Sequence, residues 1–228
     1  MITIAIDGFS STGKSTLAKQ LAKKLGYVFV DTGAMYRGIT LYAIQNHIIS
    51  DTFFDVDLLK NSLSDIKLHF QFNEQLGFSE LFLNDVNVES EIRTMEVSNF
   101  VSKIAEISEV RAKLVQQQQQ MGQNKGIVMD GRDIGTVVFP EAELKIFMTA
   151  SPEVRAQRRF DELSTLDKTI TYESVFENVQ KRDYIDSHRT DSPLKMADDA
   201  IEIDNSYLTR EEQFELVLEL ANEITTAK

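Results

Sequence analysis

Gly8-Phe9-Ser10-Ser11-Thr12-Gly13-Lys14-Ser15-Thr16 has the pattern G-x-x-x-x-G-K-S, and its flanks decide how it reads. Before it runs Ile2-Thr3-Ile4-Ala5-Ile6, a short apolar stretch that reads as a buried parallel strand. After it Leu17, Leu21 and Leu25 recur at intervals of four, which marks one face of a helix. Strand, glycine-containing loop and helix, in that order, form the context of a phosphate-binding loop. Successive backbone N–H groups in such a loop and at the helix start converge with partial positive charge, and a polyphosphate fits among them. Gly8 and Gly13 allow the tight turn and the close approach of backbone to phosphate oxygens. Lys14 is placed to reach the β- and γ-phosphates, and the Ser15 hydroxyl to ligate Mg²⁺. The loop alone does not separate a kinase from a GTPase or a motor. A GTPase needs a guanine-reading N-K-x-D, whereas the one Asn-Lys pair, Asn124-Lys125, is followed by Gly126-Ile127.

Length and composition bound the rest. The 228 residues suffice for one large domain, or a domain with an insert, and 42% hydrophobic residues suffice for a core. No apolar run approaches the length of a membrane helix, and the start of a strand at Ile2 leaves no room for a signal peptide. The absence of cysteine excludes disulfides and cysteine-bound metals and fits a cytoplasmic enzyme. A net charge of −12 opposes binding to nucleic acid or to anionic membranes. An anionic small substrate therefore requires a local basic pocket, and the arginines are where to seek it.

Outward from the loop, Tyr27-Val28-Phe29-Val30 reads as a second strand ending at Asp31. Thr32 then caps a helix that carries Arg37 and runs to about Asn46. Residues 51–60 read as polar and irregular. Ile66–Phe72 alternates apolar and polar residues, and with Glu80–Asn84 it predicts an antiparallel hairpin connected through Gly77. Val86-Asn87-Val88 suits a third strand, and His69, on the polar phase, is a surface residue. Residues 92–121 read as helical, with a fresh start at Ser108, and the glutamine run 116–120 as an exposed helix face. Gly126–Asp130 is a core strand, followed at its carboxyl end by Gly131-Arg132-Asp133-Ile134-Gly135. Parallel sheets carry their chemistry at that edge, so Asp130 is the carboxylate placed to support Mg²⁺.

Glu143–Met148 makes the next strand, and Ser151-Pro152 opens a helix. That helix holds Arg155, Arg158 and Arg159 at offsets that share one face. A further helix from about Thr171 holds Arg182, Asp186 and Arg189 on another. Ala200–Asp204 predicts the fifth strand, and Thr209-Arg210-Glu211-Glu212 a capping box opening a last amphipathic helix. Arginine is the residue suited to bidentate phosphate recognition, and its clustering here exceeds what surface ion pairing explains.

These residues resemble the bacterial cytidylate kinases, of the nucleoside monophosphate kinase group. The resemblance runs through the phosphate loop, Asp31-Thr32-Gly33-Ala34-Met35-Tyr36-Arg37, Glu91-Ile92-Arg93-Thr94, the arginine helices and, most specifically, Asp130-Gly131-Arg132-Asp133-Ile134-Gly135-Thr136-Val137-Val138-Phe139-Pro140. Phe9 stands where the family usually has Pro, and Ser11 where it often has Gly. The resemblance implies an α/β fold: a five-stranded parallel sheet with helices on both faces plus a small antiparallel insert. It implies a core of residues 1–60 and 122–228, a monophosphate-binding insert over about 61–121, and a lid over about 153–168. It implies phosphoryl transfer from MgATP to CMP or dCMP. ATP would lie on Gly8 to Thr16 and Mg²⁺ at Ser15 and Asp130. Thr32, Arg37, Ser102, Arg111, Arg132, Asp133, Arg182, Asp186 and Arg189 would hold the monophosphate. Lys14, Arg132, Arg155, Arg158 and Arg159 would act on the transferring group. The expected partners are these small molecules, with no nucleic acid and no membrane, for a monomer in the cytoplasm. Ser102 and Arg111 lie nine residues apart, about 900° of rotation on one straight helix, so their sharing a ligand requires a helix break between them, near Ser108.

Overall fold

The computed structural model describes residues 1–165 and 167–226. The chain begins β1 (Thr3–Gly8), α1 (Lys14–Leu25), β2 (Val28–Asp31), α2 (Thr32–Gln45) and α3 (Val56–Ser62). It continues β3 (Leu68–Asn73), β4 (Phe78–Leu83), β5 (Val86–Asn87), α4 (Met95–Ala105) and α5 (Ser108–Met121). The last third is β6 (Ile127–Gly131), β7 (Leu144–Thr149), α6 (Pro152–Leu163), α7 (Tyr172–His188), β8 (Ile201–Asp204) and α8 (Arg210–Thr226). These elements form two compact units, Met1–Asp31 with Gln118–Lys228, and Thr32–Gln117.

The first unit is built on a five-stranded sheet in the order β2-β6-β1-β7-β8, with every pairing parallel. β1 is central and buried on both faces, which is why its sequence reads as a continuous apolar run. Its period of two still divides the work. Ile2, Ile4 and Ile6 join Leu17 and Leu21 of α1 and Val217 and Ala221 of α8 in one apolar cluster. Each such aliphatic side chain contributes about 1.5–3 kcal/mol on burial. Asp7 falls on the opposite phase, buried but charged. α1 starts at Gly13 in the left-handed region and stops at Gly26, also left-handed, whose N–H bonds the Ala22 carbonyl. Ser151 caps α6 with Pro152 behind it, and Thr171 caps α7. Thr209 and Glu212 bond reciprocally at the head of α8, the expected capping box.

The second unit holds the antiparallel sheet β3-β4-β5, with Leu68 opposite Leu83 and Phe82 opposite Asn87. α2 packs on it closely: a Cβ at Gly38 would lie 2.9 Å from both Leu68 and Leu81. Residues 32–60 thus pack with the small sheet, and the units divide at Asp31 and near Gln118, not at 60 and 122. His69 is exposed, stacked on Phe82.

Two local readings are corrected. Residues 56–62 are helical, not irregular: the Asp55 side chain accepts a bond from the Leu58 N–H at 2.9 Å, and Leu59 is fully buried. A helix of seven residues is too short for its periodicity to register. The glutamine run is not a uniformly exposed face. Gln118 is buried, Gln117 donates to the Leu68 carbonyl at 2.7 Å, and Gln119 donates to the Val138 carbonyl at 3.4 Å.

Candidate active site

The phosphate loop leaves the carboxyl end of β1 and wraps onto α1. At Gly8, φ is 140° and a Cβ would stand 2.0 Å from the Met148 carbonyl oxygen, so no other residue fits beside β7. Ser11 takes the left-handed conformation at φ 60°, a cost that a non-glycine residue accepts only where its surroundings enforce it. Within the loop the Phe9 carbonyl accepts from Thr12 Oγ1 at 3.0 Å and from Lys14 Nζ at 2.5 Å. Lys14 is buried, and burial together with the nearby Arg132 charge pushes its ammonium down to about 7, against the pull of Asp130, Asp7 and Asp31. The loop is thus an enclosed, electropositive cradle. Ser15 Oγ donates to Asp130 Oδ2 at 2.7 Å, setting a hydroxyl and a carboxylate side by side at the carboxyl ends of β1 and β6. This all-oxygen pair suits a hard divalent cation such as Mg²⁺.

β6 runs directly into Arg132 and Asp133 and then a single wide π turn, Ile134–Val138. Asp7 holds that turn from beneath: its two carboxylate oxygens accept the N–H groups of Ile134 and Gly135, each at 2.7 Å. Burial lifts Asp7 to about 6, against those two hydrogen bonds. Beside the turn, Arg132 Nε donates to Asp186 Oδ2 of α7 at 2.9 Å. Burial works against the Asp186 charge, but Arg132, Arg182 and Arg189 outweigh it and hold the carboxyl below its ordinary range. The first unit therefore brings Lys14, Ser15, Asp130, Arg132, Arg182, Asp186 and Arg189 into one electrostatic neighbourhood.

The arginines of α6 take separate places. Arg155 is buried, donates twice to Asp183 of α7 at 2.9 and 2.6 Å, and reaches the Ser10 carbonyl at 3.4 Å. Arg158 donates to the side chain and backbone carbonyls of Asn205 at 3.0 and 2.9 Å and to the Thr12 carbonyl at 3.5 Å. Arg159 pairs with Glu162 at 2.7 Å along its own helix. Of the expected lid, 153–168, position 166 lies outside the described residues.

In the second unit, Thr32 opens α2 and Arg37 lies on its second turn. Ser102 is buried on α4. Arg111 is buried on α5, donating to the Ala105 carbonyl at 3.1 Å with its guanidinium 5.6 Å from the centre of the Tyr36 ring, next to Arg37. The helix does break between Ser102 and Arg111: α4 ends at Ala105 and α5 begins at Ser108.

Three residues escaped the sequence reading. Asp7 had a signal, a lone charge at the end of an apolar strand. Asn205, just past β8, donates to the Thr12 carbonyl at 2.5 Å and to Gln213 at 2.8 Å, and carried only its place at the edge where parallel sheets do chemistry. Asp183 carried none, being one of many acidic residues on helices.

A phosphate loop on a parallel five-stranded sheet, with a carboxylate beside its serine and arginines ranged near its lysine, defines a P-loop kinase acting on a small anionic acceptor. The cytidylate kinase family model matches residues 4–223. The cytidylate kinase of Flavobacterium psychrophilum is 69% identical over 223 residues, 98% of this chain and 99% of that protein. That of Flavobacterium johnsoniae is 69% identical over 223 residues (98% and 97%), and that of Bacteroides thetaiotaomicron 56% identical over 218 residues (96% and 95%). The chain belongs to the cytidylate kinase family.

Proposed function

We propose that this chain transfers the γ-phosphate of ATP to CMP or dCMP, giving ADP and CDP or dCDP, as a cytoplasmic monomer. The observation that carries the reading is the nearness of two anion receptors. Arg132, at the head of the Arg132–Asp186 group, lies close enough to Lys14 to depress its ammonium. One receptor suits the triphosphate and the other a monophosphate, the arrangement that phosphoryl transfer between two nucleotides requires.

In this reading residues Gly8 to Thr16 enclose the triphosphate with backbone N–H groups, and Lys14 sets its charge against the β- and γ-oxygens. Ser15 and Asp130 would hold Mg²⁺, the remaining positions being filled by phosphate and water oxygens. When bound, the cation supplies neutralisation of charge across the β- and γ-phosphates. Arg132, Arg182 and Arg189 receive the acceptor's phosphate, and Asp186 keeps Arg132 oriented. Arg155, Arg158 and Arg159 belong to a lid over 153–168 whose closure excludes water and prevents hydrolysis of ATP. In the second unit, Thr32 and Arg37 are assigned to the acceptor's phosphate and sugar.

Base selection follows from donor and acceptor chemistry. Cytosine offers an amino donor and two acceptors, N3 and O2. Asp133, acceptor-only when ionised, and Ser102 suit the amino group, and Arg111, donor-only, suits N3 and O2. Uracil would set a carbonyl against Asp133 and an N–H against Arg111. Each buried mismatch costs about 1–3 kcal/mol, so CMP is expected to exceed UMP by at least ~10²-fold in kcat/KM. The test is an ADP-release assay with CMP, dCMP, UMP, AMP and shikimate, repeated with Asp133→Ala. The variant is expected to lose CMP activity far more than UMP activity. A preferred acceptor other than a cytidylate would overturn the reading, and an unchanged CMP-to-UMP ratio in the variant would remove Asp133 from base recognition.

A further inference from the structure

Arg155 places every donor of its guanidinium on a protein partner. Nε bonds the Ala150 carbonyl at the end of β7, one terminal nitrogen bonds both the Ser10 carbonyl and Asp183, and the other bonds Asp183. Its flat face lies 5.1 Å from the centre of the Phe9 ring, which meets Phe147 edge-on. A buried ion pair gains little stability over an apolar pair of the same size, because desolvating both charges offsets their attraction. What this pair does supply is geometric: a rigid planar fork joining the phosphate loop to α7.

The two ends of that fork matter. Asp183 follows Arg182 and precedes Asp186 by three residues, so α7 is gripped on neighbouring faces. Arg155 holds it at Asp183, and Arg132 holds it at Asp186. At the other end is the peptide of Ser10, whose hydroxyl is buried with no hydrogen-bond partner among the described residues. Turning loop N–H groups toward phosphate oxygens rotates the peptides whose carbonyls point away. The nitrogen that holds the Ser10 carbonyl is the same nitrogen that holds Asp183.

We propose that Arg155 and Asp183 are positioning residues that couple occupancy of the phosphate loop to the acceptor-binding arginines of α7, so that a triphosphate on the loop raises affinity for the monophosphate. The inference rests on the assignment of CMP as acceptor. Titration calorimetry on the full chain tests it: CMP is titrated with and without a saturating non-hydrolysable MgATP analogue. Coupling between sites of this kind is about 5-fold or more. The wild-type protein is expected to bind CMP at least ~5-fold more tightly with the analogue present. Asp183→Asn, which keeps size but breaks the bidentate pair, is expected to bring that ratio below about twofold, while CMP alone binds as before. Arg155→Lys, which keeps the charge and loses the fork, is expected to do the same. Phe9→Leu, which removes only the ring beneath the guanidinium, is expected to lower the ratio by less, and it decides the matter should the other two variants fail to fold.

A merely structural ion pair would shift the melting temperature and leave the ratio alone. The proposal is overturned if the folded variants keep the wild-type ratio, or if wild-type protein binds CMP equally in both conditions. CMP that does not bind the wild-type protein in either condition overturns the acceptor assignment as well.

Discussion

Lys14 and Asp186 show how single charges divide the work of the site. Lys14 is directed into its own loop, not into the apolar core. Lys14→Ala is therefore expected to leave the fold intact by circular dichroism. It should lower kcat by about 10²-fold or more, roughly 3 kcal/mol of transition-state stabilisation. Near-normal turnover in a folded variant would contradict that role. Asp186 is held below its ordinary range by three arginines despite its burial. A carboxyl depressed in the folded state stabilises it fully above the unfolded value, near 4, and that contribution fades as pH falls through the lower folded value. Asp186→Asn is expected to cost about 3 kcal/mol at pH 7, with the gap to wild type narrowing below about pH 4. Urea midpoints at pH 7, 5 and 3 measure this, and a gap that stays constant with pH would show that the charge is not what stabilises.

Among the elements, those with strong local signals were legible in the sequence and those made by tertiary contact were not. The loop flanked by Ile2–Ile6 and by Leu17, Leu21 and Leu25, the Ser151-Pro152 helix start and the Thr209–Glu212 box all lie where local chemistry put them. α3 was hidden because one buried leucine and one capping aspartate make no periodic pattern. The arginines of α6 were legible as a cluster but not as individuals, because spacing fixes a face and not the partner met there. Arg155 meets Asp183, Arg158 meets Asn205, and Arg159 turns to Glu162. If α6 and the residues after it form a lid, amide exchange over 153–165 should slow when MgATP analogue and CMP are both bound, and less with either alone. Exchange there that is indifferent to nucleotides would leave α6 a fixed support.

For the whole molecule, charge sets the partners. A net charge of −12 surrounds a site whose ligands are anions, so only the local arginine and lysine fields favour them. A fluorescent single-stranded oligonucleotide is expected to show no anisotropy change at about 10 μM protein in low salt, because polyanion binding depends on releasing counterions to an extended basic surface. Saturable, salt-sensitive binding would refute that expectation. No helix among the described residues is long and apolar enough to cross a membrane. The glutamine run carries a different kind of consequence. A homopolymeric tract usually tolerates gain or loss of a unit, since every position is equivalent. In α5 the positions are not equivalent, because Gln117, Gln118 and Gln119 each have their own seat. One added glutamine would rotate everything beyond it by 100° and advance it 1.5 Å, unseating Gln118 and carrying Gln119 away from Val138. The tract is thus a spacer of fixed length written in repeated letters, and copying errors that change its count should be eliminated as stringently as a frameshift in the core.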